Sequence, residues 1–311
     1  KQKRLLGGNR MRTEFNMNSL GYSIEDLKKL KTQNKVVVGC VKKYLPNECL
    51  IIDLGKNIEA RLSIDNFEDS ESSSLSGIIS KVGSKICAFI EDIDEEKNEV
   101  ILNRSSLHNW YKSTVLESMD FGTIFDTNVV SVAPFGVFVD MGYGVVGLLP
   151  MNDISIARLP PLRGAFKVGD SLKVVYKGKS SSGYVVSHKE LLGTWEENVK
   201  DFTEGEVLLG IIRDIKPYGA FIEISPNLTG LADISEDSSY KVGESVTVLF
   251  KSYNLEKQKV KLHIIKSSAT DYKPKYNYKV SDGRLEEWVY TPVGSKKEIK
   301  TVFNGRFNEN E

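Results

Sequence analysis

The chain is 311 residues long, 40% hydrophobic and 27% charged, which suits two or three small domains better than one large core. Its 42 basic and 42 acidic residues cancel, so no strong overall field draws it to a polyanion. No apolar run approaches the roughly 20 residues that span a bilayer and no secretory signal opens the chain, which points to a cytoplasmic protein without membrane contact.

The charge is uneven along the chain. Residues 1–34 carry eight basic and three acidic groups, 35–103 eight and thirteen, 120–190 seven and six, and 204–268 eight and nine. Lys1 to Arg10 look unlike folded protein. Gly7-Gly8 ahead of Met11 reads as a ribosome-binding sequence translated through, with a truncated natural tail as the alternative. Ser23-Ile24-Glu25-Asp26 then starts a short helix with a capping-box signal, and Ile24, Leu27 and Leu30 mark its apolar side.

A first β module opens at Lys35 with Val36-Val37-Val38 and continues in Cys49-Leu50-Ile51-Ile52-Asp53-Leu54-Gly55 and in Ile86 to Ile90. Its cysteines, Cys40, Cys49 and Cys87, sit in apolar runs without C-x-x-C spacing and suit reduced core thiols. A redox pair of Cys40 and Cys49 facing across a hairpin is the alternative. Residues 105–119 form a connecting helix, with Leu107, Tyr111 and Val115 at helical spacing beside Trp110, read as core rather than ligand platform.

The second module is built around Pro134-Phe135-Gly136-Val137-Phe138-Val139-Asp140-Met141-Gly142. Alternation along a strand puts Val137, Val139 and Met141 on one face and Phe138 and Asp140 on the other. A bulge or bend at Gly136 would bring Phe135 to the side of Phe138. Two rings side by side on a β surface suit stacked bases.

A second connector follows, with a capping box in Thr194-Trp195-Glu196-Glu197 and an apolar stripe of Leu192, Trp195, Val199 and Phe202 that docks on an adjoining barrel. The third module then repeats the second in Lys216-Pro217-Tyr218-Gly219-Ala220-Phe221-Ile222-Glu223-Ile224. After Ser268, Tyr272-Lys273-Pro274-Lys275-Tyr276-Asn277-Tyr278-Lys279 alternates aromatic and basic residues. This tail is read as docking its aromatics on the third barrel, with a flexible RNA-contacting arm as the alternative.

Both copies carry Val-Gly-acid signals further on, in Lys167-Val168-Gly169-Asp170 and Lys241-Val242-Gly243-Glu244, and Val186-Ser187-His188-Lys189 closes one of them. At these residues the chain resembles the S1 RNA-binding motif, the OB-fold repeat of bacterial ribosomal protein S1, over about two thirds of its length. Residues 190–303 resemble the C-terminal part of S1-repeat proteins of clostridial type.

The resemblance implies a mainly β protein of tandem five-stranded S1-type OB barrels joined by short helices. The expected organisation is a basic N-terminal segment at 1–34, a degenerate barrel at 35–104, a helical connector at 105–119 and a barrel at 120–190. A helical connector at 191–203, a third barrel at 204–268 and an aromatic and basic tail at 269–311 complete it.

The family's aromatic positions fall on Phe135 and Phe138, and on Tyr218 and Phe221. In the first repeat Glu48 or Asn47 stands near one and Ile51 or Leu50 near the other, so that module is expected to pack or bind protein. The family's His position holds Pro150, Ala232-Asp233 and Ser63, and its Asp and Arg around the last hairpin are replaced by Lys179 and Gly183, and by Leu255 and Lys259. Lysines rebuild the polar half: Lys173, Lys177 and Lys179 in one repeat, and Arg213, Lys216, Lys257 and Lys259 in the other, are candidate phosphate contacts. Single strand lysines also serve as plain solvated edges.

No phosphate-binding loop, dinucleotide fingerprint or H-E-x-x-H is present. His108, His188 and His263 are scattered, the last two in what look like equivalent strand positions, which reflects the repeat rather than a metal pair. The expectation is a non-enzyme with no catalytic residue, metal or cofactor, binding single-stranded RNA in translation or RNA metabolism, with the ribosome as a candidate partner. The alternative is a protein-interaction adaptor that keeps the fold and has lost most RNA binding.

Overall fold

The computed structural model describes residues 21–46, 48–68, 75–97, 99–156, 166–234, 239–294 and 298–303. The unusual segment at residues 1–10 lies outside them. Three closed five-stranded barrels of one topology carry the chain. The first is β1 (Val37–Leu45), β2 (Cys49–Gly55), β3 (Ile58–Ser63), β4 (Lys85–Asp94) and β5 (Glu99–Asn103). The second is β6 (Ile124–Ala133), β7 (Gly136–Gly142), β8 (Val145–Pro150), β9 (Ser171–Ser180) and β10 (Gly183–Ser187). The third is β11 (Val207–Lys216), β12 (Gly219–Ser225), β13 (Leu228–Ala232), β14 (Ser245–Asn254) and β15 (Lys259–Ser267). In each, the third strand pairs parallel with the fifth and the fourth closes on the first, the OB-like arrangement that the resemblance implies.

Closure follows from alternation. In β7, Val137, Val139 and Met141 are buried while Phe138 and Asp140 stand half-buried between them. Asp140 ends the strand as a turn former: its Oδ1 accepts from the Gly142 amide at 2.9 Å, as Asp53 does from Gly55 in the first barrel. The acid in the repeated pattern therefore shapes the turn in these two copies.

The chain divides into two compact units, one up to Met119 with Asp140–Val145, the other Asp120–Val139 with the chain from Val146 onward. In the first unit helix α1 (Ile24–Thr32) is capped reciprocally by Ser23 and Asp26 and buried on the barrel through Leu27. Helix α2 (Leu75–Ile79) precedes β4, and helix α3 (Arg104–Tyr111) runs into a single π turn over Lys112–Leu116. Leu107 and Tyr111 are core, as their spacing implies, but Trp110 is not: it stays 43% exposed, edge-on against Phe89 with ring centres 5.7 Å apart.

The cysteines do not form the facing pair considered above. The hairpin register sets Cys40 opposite Asp53 and Cys49 opposite Leu45. Cys49 is core as expected, while Cys40 and Cys87 are half-buried; burial pushes the Cys87 thiol up to about 11 and raises that of Cys49, which suits inert thiols.

In the second unit, helix α4 (Trp195–Val199) is capped by Thr194 and Glu197 and buries Trp195 and Val199 in the third barrel's core. Phe202 stacks on Phe250 at 5.9 Å. After Ser268 the chain does not dock on the third barrel alone. Tyr278 and Val280 pack with Ile124 and Val175 of the second barrel, and the hairpin β16 (Glu287–Tyr290) and β17 (Ile299–Val302) adds Tyr290 to the core of the third.

Candidate nucleic-acid interface

Ala133 pairs with Gly136 and Lys216 with Gly219, so Pro134-Phe135 and Pro217-Tyr218 are two-residue hairpin tips. Proline pre-sets its own φ there and places the next residue at the apex. Phe135 and Tyr218 are accordingly 59% and 63% exposed. Each meets its strand partner edge-on: Phe135 and Phe138 have ring centres 5.9 Å apart, Tyr218 and Phe221 6.2 Å. The rings therefore share a side because the first lies in the turn, not because the strand bulges at Gly136. Gly136 instead permits close approach: a Cβ there would lie 2.5 Å from the Leu149 carbonyl oxygen.

The same register identifies the first barrel's substitutes. Leu45 pairs with Cys49, so Glu48 occupies the place of Phe135 and Ile51 that of Phe138, and Ile51 is buried. No ring stands at either position.

Around Phe221 the ladder reads Asp214, Phe221, Leu231 and Lys261 across four strands. Lys261 is exposed between the buried Val260 and Leu262. It was missed from sequence, although this alternation marks its outward face. In the second barrel Leu148 pairs with Val185, so a buried valine takes the place of Lys261.

The candidate cations fall into two sets. Lys173 is ion-paired with Asp126 at 2.9 Å, and Lys177 with the buried Asp153 at 2.9 Å, which Lys189 also meets at 2.7 Å. Arg213 is held by Glu223, both largely buried, and burial raises the Glu223 carboxyl against the guanidinium's pull. Lys177, Lys189 and Arg213 thus serve the interior of the second unit, while the Lys173–Asp126 pair is half-buried at its surface. Lys257 and Lys259 are exposed at and beside the last turn of the third barrel, and Lys216 is exposed next to Tyr218, with Asp214 3.0 Å away. Lys179 is exposed with its ammonium 5.7 Å from the ring centre of Tyr184.

His188 and His263 are not equivalent. Val185 and Lys261 occupy matching positions, so His188 matches Ile264, one residue further along. His188 is fully buried: its Nδ1 donates to the Ile154 carbonyl (2.9 Å) and its Nε2 accepts from the Tyr278 hydroxyl (3.3 Å). Burial pushes its pKa down to about 4. Among the described residues, no three His, Cys, Asp or Glu side chains converge as a metal site, and no helix is long and apolar enough to cross a membrane.

Residues 120–187 match the family model of the S1 RNA binding domain. The small ribosomal subunit protein bS1 of Staphylococcus epidermidis is 33% identical over 174 residues, which are 54% of this chain and 44% of that protein. The bS1 of Staphylococcus saprophyticus is 30% identical over 237 residues, 69% of this chain and 57% of that one. The chain thus spans about half the length of the curated relatives it matches. A crystal structure of a multidomain protein with nucleic acid binding domains from Streptococcus pneumoniae aligns over 75% of this chain and 74% of that one, at 14% identity and a TM-score of 0.25.

Proposed function

Given a chain whose residues 120–187 are an S1 RNA binding domain and whose repeats are similar to those of ribosomal protein bS1, we propose that it binds single-stranded RNA through the second and third barrels. One observation carries this reading. The same aromatic pair, one ring at a hairpin apex and one on the following strand, stands on two of the three barrels, with the apex ring exposed in both. An exposed apex ring beside a half-buried one has no packing reason to recur, whereas splayed bases stack on such rings. The exposed Lys179, Lys216, Lys257, Lys259 and Lys261 supply the phosphate contacts, Lys216 by leaving Asp214; the half-buried Lys173, Lys177 and Arg213, held in ion pairs, support the scaffold.

The protein acts by binding rather than by catalysis, in the cytoplasm, in translation or RNA metabolism, with the ribosome as a further partner. The bS1 relatives support that setting by their names. A second reading applies to the first barrel, which lacks both rings and leaves Leu75, Ile79 and Val82 exposed: it contacts protein.

Alanine at Phe138 or Phe221 tests the main reading. Each should weaken binding to a single-stranded oligonucleotide by about 1–3 kcal/mol, the range for one base–aromatic stack, with the fold intact by circular dichroism. Unfolding with unchanged affinity would make the rings core and end the proposal.

A further inference from the structure

The connection between the second and third barrels is more than the chain linking them. Directly, Ser155 donates to Asn227 Oδ1 at 2.5 Å, and the Asn227 amide donates to the Gly193 carbonyl at 2.9 Å. Residues after Ser268 add a second set of ties. On the third barrel, the Tyr272 amide donates to Ser245 Oγ and its hydroxyl to the Ile224 carbonyl, both at 2.9 Å. On the second, the Lys173 amide donates to the Tyr278 hydroxyl at 2.9 Å, and the Lys279 amide to the Leu191 carbonyl at 2.8 Å.

Two more backbone bonds pin the segment's far end to β6 and its approach. The Ile124 amide donates to the Gly283 carbonyl (3.0 Å), and the Leu285 amide to the Gly122 carbonyl (2.9 Å). The chain then returns to the third barrel through Tyr290 and again to the second through Phe303. Between these points the segment is two-sided: Lys273, Lys275, Asn277 and Lys279 are exposed, while Tyr272, Pro274, Tyr276 and Tyr278 turn inward. Tyr276 and Tyr278 meet the His188 ring edge-on at 5.0 and 5.6 Å. The space left under the seam, lined by His188, Arg213, Glu223, Pro274 and Tyr276, is a small cavity of about 40 Å³.

We infer that Tyr272–Val280 is a clamp that holds the second and third barrels in one fixed relation, so that a single RNA strand meets both aromatic pairs at a set spacing. This rests on the proposal that both barrels bind RNA. Tyr276 and Tyr278 are then positioning residues for binding, since their rings are committed to His188 and its neighbours and reach no base. The clamp acts through entropy. Two sites on freely jointed barrels lose orientational freedom when one strand bridges them, and two sites already fixed lose little. Long single strands gain from this, and strands short enough for one barrel do not.

The test uses the full chain with Cys40, Cys49 and Cys87 replaced by alanine, and spin labels at Ser182→Cys and Glu256→Cys, in the exposed last turns of the two barrels. Inter-label distances are measured by dipolar spectroscopy. Affinities are measured for oligouridines of about 5 nucleotides, within one barrel's reach, and about 25, enough for two. The parent should give a single narrow distance distribution. Tyr276→Ala with Tyr278→Ala should broaden it and weaken binding of the long strand at least about threefold, leaving the short strand unchanged.

Should that variant unfold, Tyr272→Phe with Tyr278→Phe strips the clamp's hydroxyls, keeps its rings and is expected to change both readouts in the same direction. A broad distribution in the parent overturns the clamp, and so does a narrow one in a folded alanine variant. Equal weakening for both strand lengths overturns the positioning role. A narrow parent distribution with no binding of either strand removes the RNA reading itself, and the positioning role with it.

Discussion

His188 is wholly buried, with both ring nitrogens satisfied in the neutral form, one donating to Ile154 and the other accepting from Tyr278. Protonating it would give Nε2 a hydrogen facing a hydroxyl already engaged with the Lys173 amide. Its folded pKa is depressed to about 4 from an ordinary 6.5. The unfolded chain therefore binds the proton first, and the residue's contribution is complete above pH 6.5 and lost as pH falls toward 4. The loss is roughly 3 kcal/mol at 1.36 kcal/mol per pH unit. Denaturation midpoints of the full chain between pH 7 and 4 should fall more steeply than those of His188→Gln; parallel curves would count against the buried neutral imidazole. From sequence this histidine resembled His263 at an equivalent strand position. The offset shows only once the strands are aligned across the barrels: both carry the same irregularity, at Val185/Val186 against β9 and at Lys261/Leu262 against β14, and counting on from it sets His188 level with Ile264.

At the scale of elements, the hairpin β6–β7 and its counterpart β11–β12 generate the interface. The tip residues Pro134-Phe135 and Pro217-Tyr218 set the apex ring, and the following glycine lets the strand approach its neighbour. In the third barrel Gly219 also takes φ +147°, and a Cβ would lie 2.6 Å from the Ala232 carbonyl oxygen. Gly136→Ala meets backbone at 2.5 Å, an atom that cannot swing aside, so it should destabilise the second barrel by about 1–3 kcal/mol. Urea unfolding measures the shift in midpoint; an unchanged midpoint would mean that the β7–β8 pair relaxes freely. The glycine was legible as special from its place between two aromatics. Its reason was not, since a bulge and a close approach leave the same residue in the sequence.

For the molecule as a whole, the balance of forces on RNA follows from how few cations are uncommitted to carboxylates. The two barrels carry seven basic against six acidic groups and eight against nine, and Lys173, Lys177, Lys189, Arg213 and the exposed Lys216 each meet a carboxylate of the same unit. With roughly two to four phosphates neutralised, log affinity should fall with log salt at a slope of about 1.5–3, at about 0.7 per phosphate on a single strand. Binding should also prefer single strands to duplex, whose bases are already stacked. Lys261→Val, which copies the second barrel's Val185, should lower the slope by about 0.7. A salt titration of the full chain and this variant checks both; a much steeper slope would give the lysines the leading part. Any fragment for such work must run past Phe303, because Tyr290 and Phe303 belong to the cores of the second unit.

The sequence alone determined the repeated strand pattern, both capped helices and the positions of the four rings, because each is written in local terms: period-two alternation, a reciprocal cap, a Pro-aromatic-Gly tip; that the strands close into barrels was what the resemblance implied. It also marked the first barrel as lacking the rings, at Glu48 and Ile51, before any register was known. Only the tertiary structure decided which cations remain exposed at the surface. Lys177 and Asp153 are 24 residues apart, and Arg213 and Glu223 sit on adjacent strands beside a bulge, so their pairing depends on how strands close rather than on neighbours in the chain. The tail is the same case. Its alternation of tyrosine and lysine fits a nucleic-acid arm and a docked strap equally well; folding chose the strap, because the second and third barrels leave a seam of apolar side chains and the buried His188 in which the rings escape water.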